Sequence, residues 1–366
     1  MERVIAHIDI DYFYAQVEEV ENPALRERPV AVCVFSGRTE DSGVVATANY
    51  RARELGVSSG MPIALARRKL EGKDPVMIRM DHAKYEVISE RVMQILRAEA
   101  DVLEQTGIDE AFLDLTKRAG SDYEAARATA EGVKRSVFDG EHLTCSVGIG
   151  RSKVVAKLAS DKAKPGGIVI VPPDATMSFM KDLPVADLYG VGPKSSEALR
   201  GLGIGTIGEL AACQLSSLEK TFGRKFAVYL HDAANGADAD PVTENKGPSQ
   251  LMRVITLKQN TTDAETSMEQ LAEAVADLRR RLQSQNLSFR TVTAIAILTD
   301  LSTKTRSKTF ETPIDDLSIV ESDILDLFED LSGSVDREFR RVGIRVSDLR
   351  SDQDQSSLSE FLQPAK

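Results

Sequence analysis

In Val4-Ile5-Ala6-His7-Ile8-Asp9-Ile10-Asp11 an apolar start gives way, from Ala6 on, to alternating apolar and polar residues with the two-residue period of a β-strand. This sets His7, Asp9 and Asp11 on one face and Ile8 and Ile10 on the other. The run leads into Tyr12-Phe13-Tyr14-Ala15-Gln16-Val17-Glu18-Glu19-Val20, a short helix for which Asp11 is the expected N-cap. Apolar runs at Pro29–Phe35 and Val44–Ala48 predict two further strands around a polar loop, Ser36–Gly43, and a helix that stops at Gly56. From 82 to 103 the period changes: Tyr85, Ile88, Val92, Ile95, Leu96 and Leu103 share one face of a predicted amphipathic helix. A strand after Asp109-Glu110, a helix near Tyr123–Val137 and a strand at Leu143–Ile149 follow. This order describes a split β-α-β palm, with residues roughly 20 to 77 inserted as a small unit of their own.

Residues Gly150–Lys164 read as a basic helix stopped by Pro165-Gly166-Gly167, with Lys157 and Lys164 on one face. Gly190-Val191-Gly192-Pro193-Lys194 lies between helical segments, as does the glycine-rich run Gly201–Gly208. The first has the form of a helix-hairpin-helix, whose glycines let backbone N–H groups approach a DNA phosphate. His231–Pro248 is poor in apolar residues and reads as an interdomain linker. A second β-α-β-β-α-β pattern follows: Leu251–Leu257, Ser267–Gln283, Phe289–Leu298, Thr303–Thr309, Leu317–Leu331 and Val342–Val346. Lys304, Arg306 and Lys308 alternate along one of its strands, and Arg337, Arg340, Arg341 and Arg345 cluster near its end. A polar tail from Ser351 carries one apolar island at Leu358, Phe361 and Leu362.

A chain of 366 residues has room for two to four domains. No run of 18 apolar residues and no signal-peptide core is present, so a cytoplasmic protein is expected. Three dispersed cysteines read as reduced core residues, and four scattered histidines exclude a His-rich zinc site. The net charge of −11 argues against nucleic acid only as an average, because Arg151–Gly166 holds five basic residues and one acid. The segment 248–350 is two-faced in the same way, with 14 Lys and Arg against 17 Asp and Glu. Acidic helices on one side and a basic sheet edge on the other would suit a platform gripping a DNA backbone.

The candidate chemistry sits in Thr106-Gly107-Ile108-Asp109-Glu110-Ala111-Phe112-Leu113-Asp114-Leu115. If this strand neighbours the first one, Asp9, Asp109 and Glu110 converge, and packed carboxylates need cations. Hard oxygen donors suit Mg²⁺, and a pair of ions suits phosphoryl transfer. A solvated hairpin turn accounts for Asp109-Glu110 taken alone. Tyr12, Phe13 and Tyr14 would place rings at the mouth of such a site, with Phe13 also fitting a core cluster. Thr47, Tyr50 and Arg53, three apart, put hydroxyls and a guanidinium at one helix start, good donors to phosphate.

At these residues the chain resembles the Y-family DNA polymerases, the lesion-bypass class, in the archaeal branch related to DNA polymerase IV. The resemblance spans essentially the whole chain. It is carried by Asp9-Ile10-Asp11-Tyr12-Phe13-Tyr14-Ala15-Gln16-Val17-Glu18, Phe35-Ser36-Gly37-Arg38, Ala46–Arg53, Ile108-Asp109-Glu110 and Ala163–Gly167. It implies an α+β, right-hand polymerase: palm (1–19 and 78–166), fingers (20–77), helix-hairpin-helix thumb (167–232), linker (233–247) and little finger (248–350). A tail with a clamp-binding peptide follows (351–366).

The resemblance further implies two Mg²⁺ on Asp9, Asp109, Glu110 and the Ile10 carbonyl, with Tyr14 as a steric gate against the ribose 2′-OH. Thr47, Tyr50, Arg53 and Lys164 would hold the dNTP triphosphate beside Tyr12 and Phe13, and Val34, Val44 and Ala46 would roof a loose nascent base pair. Gly190, Gly192, Lys194, Lys304, Arg306, Lys308, Arg340 and Arg341 are the candidate DNA contacts. Gln355, Leu358, Phe361 and Leu362 are the candidate contacts to a sliding clamp, with Leu362 where a second aromatic is common. Gly107 stands where the family often has Ser. The implied protein is a monomer acting on primer–template DNA, distributive and low in fidelity, with no membrane partner. A nucleotidyl cyclase shares the paired acids and the palm without needing the hairpin, platform or tail. A DNA-binding scaffold with a dead palm would not need all three acids.

Overall fold

A computed structural model describes residues 2–244 and 247–351. The chain forms two compact units, Met1–Val34 with Val44–Asn245, and Phe35–Gly43 with Lys246–Lys366. The tail positions Gln355, Leu358, Phe361 and Leu362 lie outside the described residues.

The chain begins β1 (Ile5–Ile10), α1 (Phe13–Glu21), β2 (Val30–Phe35), β3 (Gly43–Ala48), α2 (Tyr50–Glu54), α3 (Ile63–Lys69) and β4 (Val76–Arg79). Then come α4 (His82–Ala98), β5 (Val102–Gln105), β6 (Glu110–Asp114), α5 (Thr116–Ala119), α6 (Tyr123–Glu141), β7 (Cys145–Gly150), α7 (Lys153–Ala163) and β8 (Ile168–Ile170). Five helices complete the first unit: α8 (Thr176–Met180), α9 (Pro193–Gly201), α10 (Ile207–Ala212), α11 (Leu215–Phe222) and α12 (Arg224–Ala234).

A five-stranded sheet runs β5-β6-β1-β7-β8, and a three-stranded sheet runs β3-β2-β4. Both faces of β1 are used. Ala6, Ile8 and Ile10 join Tyr85, Val92 and Leu96 of α4 and Ala130, Val133 and Val137 of α6 in one core. Ile5 packs on the opposite side with Phe112 and Ala156 of α7. The close seat of α7 depends on Gly148. A Cβ there would lie 2.1 Å from both the Ala156 carbonyl oxygen and the Ser160 nitrogen.

Three sequence expectations are corrected here. The amphipathic helix ends at Ala98, and Leu103 is in β5 opposite Leu113. Its apolar spacing breaks over Ala98–Asp101, and strand pairing claims the buried Leu103 instead. Asp11 does not cap α1: the N-cap is Tyr12, in the left-handed region at φ 35. The buried Asp11 carboxylate accepts from Thr144 Oγ1 (2.9 Å) and Ser146 Oγ (2.7 Å), two hydroxyls that draw it toward β7. Finally, His231 lies inside α12, and the segment after that helix is stitched to the first unit. Arg3 donates to the Asp238 and Asp240 carbonyls at 2.9 and 2.8 Å, and Val242 is buried beside Ile5 and Phe112.

The second unit comprises β9 (Gln250–Thr261), α13 (Ala264–Ser284), β10 (Leu287–Leu298), β11 (Thr303–Ile314), α14 (Glu321–Gly333), β12 (Phe339–Ser347) and β13 (Arg350–Ser351). Its main sheet runs β11-β10-β12-β9. Val292, Ala294, Ala296 and Leu298 of β10 pack with Leu271 and Leu278 of α13 and Ile324 and Phe328 of α14. Both helices therefore cover one face, as alternation in a half-buried strand requires.

Candidate active site

β1 and β6 pair antiparallel with Asp9 opposite Glu110, and the Ile10 N–H donates to the Asp109 carbonyl at 2.8 Å. The ends of two neighbouring strands thus bring Asp9, Asp109 and Glu110 to one place. The Asp9 carboxylate meets Lys164 Nζ at 2.7 Å and Lys157 Nζ at 4.0 Å, while Glu110 Oε2 meets Lys157 Nζ at 2.5 Å. Each of these two acids is turned onto an ammonium. Among the described residues no three His, Cys, Asp or Glu side chains are gathered tightly enough to hold one ion. Asp109 differs from its neighbours. Burial, and then the charges of Asp9 and Glu110, push its carboxyl up to about 6.

The donor chemistry fits a hard divalent cation: three carboxylates at one strand end, with the charge on Asp109 raised in energy by the other two. Gly107 contributes by its bareness. A Cβ there would stand 2.9 Å from Glu110 Cγ and 3.3 Å from Asp109 Oδ1, so the glycine leaves these side chains room.

Around the acids, Tyr14 lies against Tyr85 (ring centroids 4.6 Å apart) and Phe13 (5.5 Å), so its ring is backed on two sides. Phe13 itself is a core residue, 2% exposed. Its expected contact with a nucleotide is corrected for the ring alone: helix α1 turns the ring inward with Ala15 and Val17, which leaves the backbone for such a contact. Tyr12 packs edge-on against Tyr50 at 4.9 Å and donates to Glu19. The Tyr50 hydroxyl is buried without a hydrogen-bond partner among the described residues. Thr47 is buried, and Arg53 stacks over the Tyr50 ring at 5.4 Å while donating to the Ala48 carbonyl. Asn49 fixes this corner, accepting from the backbone N–H groups of Ala52 and Val30. Val34 and Val44 are open to solvent, at 46% and 43%, and Ala46 is half-buried.

In the helical part of the first unit, Gly190 has φ +84, and a Cβ would press on the Tyr229 ring at 3.0 Å. Gly192 caps α9 with Pro193 at its first turn, and Lys194 is exposed.

The basic strand of the second unit is rearranged relative to expectation. Lys304, Arg306 and Lys308 stand opposite Ala296, Ala294 and Val292, the core residues of β10, so they lean to the helix side. There Arg306 pairs with Asp330 (2.6 Å) and Lys308 with Asp323 (2.5 Å), both on α14. The alternation was visible in the sequence, but which face was bare was not. The helix-free face carries Thr291 and Thr293 of β10, bonded to Thr309 and Ser307 of β11. Register adds Arg341 and Arg345 of β12 to that face, opposite Ile297 and Thr293. Arg340 is exposed beside the bulge between Phe339 and Arg341.

Known proteins decide what this geometry belongs to. Residues 8–161 match the impB/mucB/samB family, 248–359 match its C-terminal domain, and 186–238 match the thumb domain of DNA polymerase-iota. DNA polymerase IV of Nitrosopumilus maritimus is 37% identical over 98% of this chain and 99% of its own. The chain belongs to the Y family of DNA polymerases. DNA polymerase IV of Methanosarcina acetivorans is 38% identical over 99% of this chain and all of its own length. Among solved Y-family structures, a Dbh–Dpo4 chimera matches 95% of this chain, covering 100% of its own, with a TM-score of 0.89 at 33% identity. An insertion ternary complex of Dbh DNA polymerase matches with 0.70 over the same shares, also at 33% identity. The fold is accordingly the Y-family α+β architecture, with a helix-hairpin-helix type thumb and a C-terminal little-finger domain. That membership sets aside the cyclase.

Proposed function

We propose that this chain copies past damaged template positions, adding one nucleotide at a time from dNTP to a primer 3′-OH, distributively and with low fidelity. Family membership makes it a DNA-directed DNA polymerase. The observation that carries the site assignment is the β1–β6 register, which sets Asp9 opposite Glu110 beside Asp109 at the end of a buried strand pair. In this reading the palm is 1–19 and 78–166, the fingers 20–77, the thumb 167–232 and the little finger 248–350. Residues 233–247 join the last two, although the structure ties 238–242 to the first unit.

Asp9, Asp109, Glu110 and the Ile10 carbonyl would hold two Mg²⁺, which when bound favour ionisation of the 3′-OH and neutralise the triphosphate. The protein's own groups do the positioning. The Tyr50 hydroxyl, which has no hydrogen-bond partner among the described residues, would donate to phosphate oxygens with Thr47, Arg53 and Lys164, the last leaving Asp9 to do so. Tyr14, held from behind by Tyr85, would exclude a ribose 2′-OH. Exposed Val34 and Val44 and half-buried Ala46 would offer the base pair a small-residue, lightly constraining roof. Gly190, Gly192 and Lys194 would meet the DNA backbone from the thumb, and Arg341 and Arg345 from the bare sheet face. The peptide at Gln355, Leu358, Phe361 and Leu362 would recruit a sliding clamp, and the polymerase itself would act as a monomer. The test is templated extension by Asp109→Ala: loss of extension with DNA binding kept supports the assignment, and loss of both together refers Asp109 to folding.

A further inference from the structure

His7 is a fully buried imidazole two residues before Asp9, on the face of β1 that meets α7. Its Nδ1 lies 2.7 Å from Ser160 Oγ, and Ser160 Oγ donates to the Lys157 carbonyl at 2.8 Å. A hydroxyl has one proton. With that proton committed to Lys157, the oxygen accepts from His7, and Nδ1 carries the ring hydrogen. Nε2 is buried on the other side of the ring, without a hydrogen-bond partner among the described residues. It faces Glu110 Oε2 at 3.5 Å, a long polar contact.

Glu110 is restrained on every side that touches it. Oε1 accepts from Thr106 Oγ1 at 3.2 Å, Oε2 takes the Lys157 ammonium, and the His7 ring lies behind. Lys157 and Ser160 are one turn apart on α7, so a single helical turn supplies both the cation on Glu110 and the hydroxyl that fixes the ring. Gly148, opposite His7 in β7, lets that turn come close enough to do both.

We infer that His7, locked in orientation by Ser160, is a positioning residue for Glu110. The role rests on the reading of Glu110 as a cation ligand. A glutamate has three rotatable bonds and keeps one ligating pose only if its surroundings remove the others, which is why groups behind metal ligands govern affinity. The ring fills the space into which Glu110 would fold back over β1, and its Nε2, aimed by the Ser160 bond, sets the polar surroundings of Oε2.

The test uses the full-length protein on primer–template with an incoming nucleotide, titrating Mn²⁺ and reading free Mn²⁺ by electron paramagnetic resonance. Melting temperature is recorded for each variant. H7F keeps an aromatic ring and removes both nitrogens, S160A removes only the locking hydroxyl, and H7Q returns a polar amide near the Nε2 position. The expected result is Mn²⁺ binding weakened roughly tenfold or more by H7F and S160A, partly rescued in H7Q, with H7F adding nothing in an E110Q background. Mn²⁺ affinity within twofold of the parent in H7F and S160A, while E110Q weakens it, overturns the role of His7 and leaves the ligand reading standing. An unchanged affinity in E110Q overturns both. Should H7F fail to fold, S160A decides alone.

Discussion

Asp109 carries the residue-scale argument. Asp9 and Glu110 each have an ammonium within 2.7 Å, and Asp109 has none among the described residues, which leaves its charge buried among like charges. Asp109→Asn should therefore raise the melting temperature in chelator by a few degrees, for roughly 1–2 kcal/mol of relieved repulsion, while abolishing extension. Differential scanning calorimetry with and without Mg²⁺ checks this, and a lower melting temperature in chelator would show that Asp109 is a structural acid. Tyr14 makes a second residue-scale prediction. Its ring is backed by Tyr85 and Phe13, so Tyr14→Ala opens a space in front of them. Discrimination against ribonucleotides should fall by up to roughly a hundredfold, the order a steric pocket commands against one hydroxyl. Single-nucleotide incorporation with matched dNTP and rNTP reads it, and unchanged sugar selectivity removes the gate assignment.

At the scale of elements, the packing of α7 on β7 sets the site. Gly148→Ala places a Cβ 2.1 Å from two backbone atoms of that helix, and backbone cannot swing aside as a side-chain end can. The expected cost is about 1–3 kcal/mol or more, read as a fall in denaturation midpoint at constant slope. The second unit offers a contrast between faces. Arg306 and Lys308 are tied to α14, whereas Arg341 and Arg345 lie on the helix-free side. If DNA lies on that side, Arg341→Ala should reduce the slope of log affinity against log salt by about one, and Lys308→Ala should leave it nearly unchanged. Equal effects would return the basic edge strand to the interface. These elements also show what the sequence could reveal. The strand alternation around Asp9 and the helical spacing around Tyr85 were readable because one local period decided them. The face taken by Lys308, the capture of Asp11 by Thr144 and Ser146, and the Ser160–His7 bond were not. Each depends on partners at least 15 residues away in the chain, for which no local pattern speaks.

Across the whole molecule, the match to Y-family relatives over nearly the entire chain makes the parts interpretable as one polymerase. The tail from 352 onward is a separable prediction. Deleting it should leave extension of a short primer–template unchanged and abolish stimulation by a loaded sliding clamp, since Leu358, Phe361 and Leu362 in an otherwise polar tail have the spacing of a partner-binding peptide. Clamp stimulation that survives the deletion would place the contact elsewhere. The central claim is more direct: a Y-family palm whose three acids at the ends of β1 and β6 drive templated nucleotide addition. The measurement closest to it is extension of a labelled primer–template by the purified chain, offering each dNTP singly, with Mg²⁺ present or chelated and Asp109→Ala alongside. Addition that follows the template, stops on chelation and is lost in Asp109→Ala is the predicted result. Undiminished extension by Asp109→Ala, or addition indifferent to the template base, would contradict it.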